Sequence, residues 1–308
     1  MRRFLIDTDT ASDDAVALVM AAKAPDVQIE AVTVVAGNVP LEQGVQNALY
    51  TLELAGCSAP VYAGLARPLL RPLETAQNVH GRDGMGDIGL PLRGRQPAVG
   101  HAVDVLIETI RRFPGEITLV TLGPLTNVAA ALLRDPAIAG LVNRCVMMGG
   151  TSDSLGNMTP VSEYNIWADP EAAKIVFESG LPLEMIGWDI SRKYATFNPA
   201  ESAALRAIGT PLAEFCVDIQ GTVDAFATST THLTGYDLPD PIAMAAALDP
   251  ATVDFEHRTV VIETLGTLCR GQTVNDPLGL LGLLPNVQVA VRASRARFLE
   301  LLEAAVRA

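Results

Sequence analysis

Two hydrophobic patterns alternate along the first 65 residues. Arg3 to Ile6 is a short apolar run that stops at an acidic cluster, and Asp13 to Ala22 then repeats apolar residues at helical spacing. Ile29 to Val35 is apolar except at Glu30 and Thr33 and reads as a buried strand, Leu41 to Ala55 returns to helical spacing, and Val61 to Ala63 reads as a short third strand. A strand and helix alternation of this kind predicts a parallel sheet with helical crossovers. Arg67 to Val99 is rich in Pro and Gly, so it is expected to be a long irregular segment of the sort that carries function beside a rigid sheet. The beat then resumes, with helix over Val103 to Phe113, strand over Ile117 to Leu122, helix over Asn127 to Leu133, strand over Cys145 to Met148, helix over Pro170 to Glu178 and strand over Leu183 to Ile186. After Asn198 the spacing turns helical as far as the Ala-rich run Ile242 to Leu248. Strands near Thr259 to Glu263 and Val287 to Val291 and an amphipathic helix from Ser294 to Val306 close the chain. No repeat or long linker divides it. The expectation is one α/β domain over residues 1–308, a mostly parallel central sheet flanked by helices, with its active site at the C-terminal ends of the strands.

Composition narrows the function. A hydrophobic content of 49% over 308 residues supports a large core. The net charge of -13, with no basic run, argues against nucleic-acid binding through phosphate neutralisation. No window reaches the roughly 18 apolar residues of a membrane span; Ala243 to Leu248 is cut off by Asp249-Pro250. Cys57, Cys145, Cys216 and Cys269 lack CxxC spacing and read as reduced thiols rather than a zinc site or disulfide framework. The apolar stretch after Arg3 ends at Asp7, too soon for a secretory signal, so a cytoplasmic protein is expected.

The first strand ends in Asp7-Thr8-Asp9-Thr10-Ala11-Ser12-Asp13-Asp14, four carboxylates in eight residues. A helix start with Ser12 as its cap explains Asp13 and Asp14, which favour the positive end of the helix, but not Asp7 and Asp9. Like charges at the carboxyl end of a parallel strand are relieved by a hard, oxygen-seeking cation, calcium or magnesium. An EF-hand is excluded, because Ala11 and Ser12 stand where that loop needs a ligand and a glycine.

Asp7-Thr8-Asp9 with Asp13-Asp14 resembles the N-terminal signature of the inosine-uridine-preferring nucleoside hydrolase family. Val35-Ala36-Gly37-Asn38, His80-Gly81-Arg82-Asp83-Gly84, Leu122-Gly123-Pro124-Leu125-Thr126-Asn127 and Met147-Met148-Gly149-Gly150 resemble further family blocks in order. So do Gly156 to Pro160 leading to Glu163-Tyr164-Asn165-Ile166, then Asp240-Pro241 and Arg270 to Val274. The resemblance implies a calcium-dependent enzyme that hydrolyses the N-glycosidic bond of a ribonucleoside with inversion. Asp9, Asp14 and Asp240 would bind the calcium through carboxylates and Leu122 through its carbonyl oxygen, left free at a strand end. Asp9 would also take the proton of the attacking water. Asp13, Asn38, Asn157, Glu163 and Asn165 would read the ribose, with Met148 packing nearby and His80 on its 5′ side. A homodimer or homotetramer is implied as well. Without the resemblance, Asn38 and Asn157 read as turn residues beside glycine, Met147-Met148 as strand core, and His80 as a loop histidine.

Two positions depart from the pattern. Pro239 stands where many members carry a histidine that protonates the leaving base, so that task would fall to His232 or Tyr236, or to contacts with the base alone. Thr10-Ala11 replaces the usual Pro-Gly with spacing unchanged. These departures leave the choice of base open. One rival reading is a haloacid-dehalogenase-type phosphatase with Asp7 as nucleophile and magnesium as cofactor, although Lys23, Lys174 and Lys193 lie in no matching motif. Another is a non-catalytic, calcium-dependent ribose binder, disabled by Pro239.

Overall fold

The computed structural model describes residues 1–308. Nine strands form one sheet. β1 (Arg2–Thr8), β2 (Val27–Val34), β3 (Val61–Ala63), β4 (Ile117–Thr121), β5 (Arg144–Met148) and β6 (Leu183–Ile186) are parallel, each joined to the next through at least one helix. β7 (Thr196–Phe197) and β8 (Tyr236–Asp237) make a separate antiparallel ladder. β9 (Val253–Ile262) and β10 (Thr273–Asp276) are antiparallel to one another, and β11 (Val287–Ala293) joins β9 antiparallel and β6 parallel. The sheet order is β10-β9-β11-β6-β5-β4-β1-β2-β3.

The expected mostly parallel sheet flanked by helices is present. Side chains of β1 alternate between its faces: Phe4 and Ile6 enter one core and Leu5 the other. The helix Pro239–Leu248 is buried all round, with Ala243, Ala245, Ala246 and Ala247 at zero exposure. Its small side chains let it lie close against both the helix Ser12–Lys23 and the closing helix Arg295–Arg307. Phe298 and Leu302 of the closing helix are fully buried, each worth roughly 1.5–3 kcal/mol. No helix is long and apolar enough to cross a membrane.

Candidate active site

Strand order dictates where the site lies. From β1 the chain winds outward to β2 and β3 on one side, and from β4 to β5 and β6 on the other. The crossovers therefore part between β1 and β4, and a crevice opens at their carboxyl ends. Val35 N donates to Thr8 O (3.0 Å) and Leu122 N to Asp7 O (2.8 Å), so both neighbouring strands stay paired with β1 up to that point.

Asp9 fills the crevice floor. Its Oδ2 accepts from Asn38 N at 2.6 Å, while Oδ1 is buried without any hydrogen-bond partner. A Cβ on Gly123 would sit 2.7 Å from that Oδ1, and one on Gly37 would sit 2.8 Å from Asp9 Cγ. The glycines of two sequence blocks are thus explained by one carboxylate lying between them. Gly64 plays the same part for Asn127, whose Nδ2 donates to Asp7 Oδ1 (2.9 Å) and Val34 O (3.1 Å).

Two helix starts bring further carboxylates to Asp9. Asp13 and Asp14 lie in the first turn of Ser12–Lys23 and Asp240 in the first turn of Pro239–Leu248. Oxygens of Asp13, Asp14 and Asp240 approach within 4.8 Å of one another. Asp14 is fixed by Thr8 Oγ1 and by Ala11 N, and Asp13 Oδ1 is buried and unpaired. Burial, then the charge of Asp13, pushes Asp14 up to about 7. Burial and the charge of Asp14 hold Asp9 and Asp240 well above the usual carboxylate range. Neither arginine nor lysine pairs with Asp9, Asp13, Asp14 or Asp240; the nearest basic group is His80, whose Nδ1 lies 3.8 Å from Asp13 Oδ1 and whose charged form burial disfavours. Buried, oxygen-only and lacking a counter-charge, the cluster fits a hard divalent cation.

Above it lies a cavity of about 90 Å³. Asp13, Asn38, Leu122, Met148, Asn157, Glu163, Asn165, His80 and Asp240 all line it, so the structure brings these expected residues together. Glu163 caps the helix Tyr164–Ala168, accepting from Asn165 N (2.9 Å) and Gly150 N (2.7 Å), and burial pushes it up to about 7. Asn165 Nδ2 donates to Leu122 O at 2.9 Å. That carbonyl, expected to be free, keeps only its second lone pair for a ligand. Asn157 Oδ1 accepts from Tyr164 N (2.9 Å), which ties the loop after β5 to the same helix. His80 ends a short helix, Gln77–His80, inside the long irregular segment; its Nδ1 lies 3.0 Å from Ser12 Oγ, and burial lowers its pKa.

Three candidates are not brought into the cavity. Asp7 points to the same face of β1 as Leu5, where Thr33 Oγ1 (2.6 Å) and Asn127 hold it, so it cannot serve as a nucleophile beside Asp9. His232 is exposed, in a left-handed conformation (φ 57°) at the end of a π-turn. Tyr236 is buried, 3.1 Å from Ser202 Oγ and stacked on Phe197. Sequence reasoning missed Asp237, Trp188, Val223 and Phe226, which complete the cavity wall. For Asp237 the available signal was a second carboxylate three residues before Asp240. A larger groove of about 750 Å³ lies at the opposite ends of β5 and β6, around Arg144, Glu184 and Asn286, and holds no carboxylate cluster.

Comparison with known proteins agrees with this architecture. Residues 4–300 match the model of the inosine-uridine preferring nucleoside hydrolase family. The pyrimidine-specific ribonucleoside hydrolase RihB of Escherichia coli (strain SE11) is 36% identical over 307 residues, which cover 99% of this chain and 97% of RihB. A solved plant nucleoside hydrolase superposes with a TM-score of 0.93 at 34% identity, covering 100% of this chain and 99% of that one. The purine-preferring ribonucleoside hydrolase of Gardnerella vaginalis gives 0.91 at 33% identity, covering 99% and 98%. Sequence and fold agree, and the chain belongs to the inosine-uridine preferring nucleoside hydrolase family, enzymes that hydrolyse the N-glycosidic bond of nucleosides.

Proposed function

We propose that this enzyme is a calcium-dependent ribonucleoside hydrolase in which Asp9, Asp14, Asp240 and the Leu122 carbonyl hold the cation. The observation that carries the reading is the buried, unpaired Asp9 Oδ1, close enough to feel the charges of Asp14 and Asp13, beside a cluster of Asp13, Asp14 and Asp240 that no arginine or lysine neutralises. Calcium suits a site of many oxygens better than magnesium, which keeps several waters. Bound there, the cation supplies charge that keeps the cluster ionised and acidifies a water.

The rest follows from the chain's own groups. Asn38 N fixes Asp9 through Oδ2, so Oδ1 is aimed and ready to take a proton from the attacking water. Asp13, Asn38, Asn157, Glu163 and Asn165 offer acceptors and donors to the ribose hydroxyls, and Met148 packs on the ring. His80, held at Ser12, faces the 5′ side. As the bond to the base breaks, positive charge grows on the ribose, and the carboxylates and amide oxygens stabilise it more than the neutral ground state. Water adds to C1′, the bonding pair leaves with the base nitrogen, and the configuration inverts. RihB is named as pyrimidine-specific and the Gardnerella enzyme as purine-preferring, so the base is set by the wall of the cavity rather than by the family. Incubation with calcium and inosine, adenosine, guanosine, uridine or cytidine tests the reading. Ribose release that vanishes in Asp9→Ala supports it, and no release from any nucleoside by a calcium-loaded protein rejects it.

A further inference from the structure

Pro239 has no side-chain proton, so the departing base must be protonated by another group. The titratable groups lining the cavity are Asp13, His80, Glu163, Tyr164, Asp237 and Asp240. Glu163 is committed to the N–H groups of Gly150, Asn165 and Ile166. The Tyr164 hydroxyl donates to Glu74 O at 2.9 Å. Asp13 and Asp240 belong to the carboxylate cluster. His80 is tied through Ser12 and Asp13 to the helix that carries Asp14, and burial lowers its pKa.

Asp237 differs from all of these. It sits at the end of β8, and its Oδ2 accepts from Ser191 Oγ at 2.6 Å, a residue of the helix Trp188–Tyr194. This bond, with the Trp188 side chain also close by, fixes the carboxyl group in the cavity wall. The same cavity is lined by Trp188, Val223, Phe226, Ala227 and Pro239, apolar surface of the kind that accepts a flat base. We propose that Asp237 is the catalytic residue that hydrogen-bonds the departing base and delivers its proton. Burial supports the role by pushing Asp237 up to about 6, close to a working acid at neutral pH. In the balanced step the Asp237 O–H proton passes to the base nitrogen, which receives the electron pair of the broken C–N bond. The water supplies hydroxyl to C1′ and its proton to Asp9, and proton exchange with solvent resets both carboxyls. The proposal rests on the hydrolase reading above.

The test compares Asp237→Asn with the wild type on its best nucleoside and on 4-nitrophenyl β-D-ribofuranoside, whose leaving group needs no proton. Loss of a general acid lowers nucleoside turnover by about 100-fold or more. Turnover of the nitrophenyl riboside should fall far less, so the ratio of the two rates shifts by about the same factor. The nitrophenyl activity also reports that the variant is folded. Equal losses on both substrates, or unchanged nucleoside turnover, overturn the proposal. A wild type that cleaves only the nitrophenyl riboside also overturns it. A wild type that cleaves neither substrate overturns the hydrolase reading itself, and this proposal with it.

Discussion

Gly123→Ala should disable the enzyme without unfolding it, because the space its methyl needs is already occupied by the proposed base. The new Cβ would stand 2.7 Å from Asp9 Oδ1 and 2.9 Å from Asp9 N. A carbon and an oxygen normally rest about 3.4 Å apart, so Asp9 must retreat by about 0.7 Å. Misplacing a catalytic group by about 1 Å costs about 100-fold, so kcat for ribose release should fall between about 10- and 100-fold. The backbone at Gly123 needs no left-handed conformation, so the stability cost is that of overpacking alone, about 1–3 kcal/mol. Gly44→Ala is the matched control. Its Cβ would meet Asp9 O at 3.2 Å, a distance that a few tenths of an ångström of movement relieves, and its helical position gains up to about 1 kcal/mol from alanine. Ribose release at saturating calcium, with thermal melts of each variant, decides the matter. If Gly123→Ala turns over as fast as Gly44→Ala and melts where the wild type does, the geometric argument for Asp9 is wrong.

Further outcomes follow from the same contacts. Folded-state values of about 7 for Asp7, Asp14 and Glu163 exceed the unfolded values of 3.8 and 4.5. The metal-free fold therefore holds extra protons between roughly pH 4 and 7, and its stability falls as pH rises through that window. Because a cation replaces those protons at Asp14, calcium should raise Tm more at pH 8 than at pH 5; equal shifts would contradict the assignment. Asp240→Asn should abolish most of the calcium-induced rise in Tm at pH 8, and an unchanged rise would remove Asp240 from the cation site. Asn127→Ala strips partners from Asp7, Leu65 N and Val34 O and should cost about 1–3 kcal/mol in urea unfolding. His232→Ala should leave kcat within about threefold, since a general acid is worth about 100-fold or more and this side chain is exposed.

The parallel half of the sheet was legible because the buried parts of β1, β2, β4 and β5 hold short apolar runs separated by longer helical segments. β9 was read only in its second half. Its first half alternates with Asp254, Glu256 and His257, which face solvent and hide the strand in a charged run. β10 has four residues, of which Asn275 and Asp276 favour turns, and pairing with β9 rather than its own propensity makes it a strand. Within the acidic cluster, sequence could not show which carboxylates share a space. Strand alternation would have put Asp7 and Asp9 on one face, since residues two apart share it; they part because β1 ends at Thr8, leaving Asp7 held by Thr33 and Asn127 and Asp9 by Asn38 N. Asp237 escaped notice because its role depends on the helix Trp188–Tyr194, 46 residues away at Ser191.

We propose that the carboxylates around Asp9 work only as a cation site. Ribose release from the best nucleoside, measured after exhaustive chelation and again after calcium is restored, tests it directly. Turnover is expected to disappear on chelation and to return with calcium at the concentration that raises Tm. Full turnover by the chelated protein would contradict it.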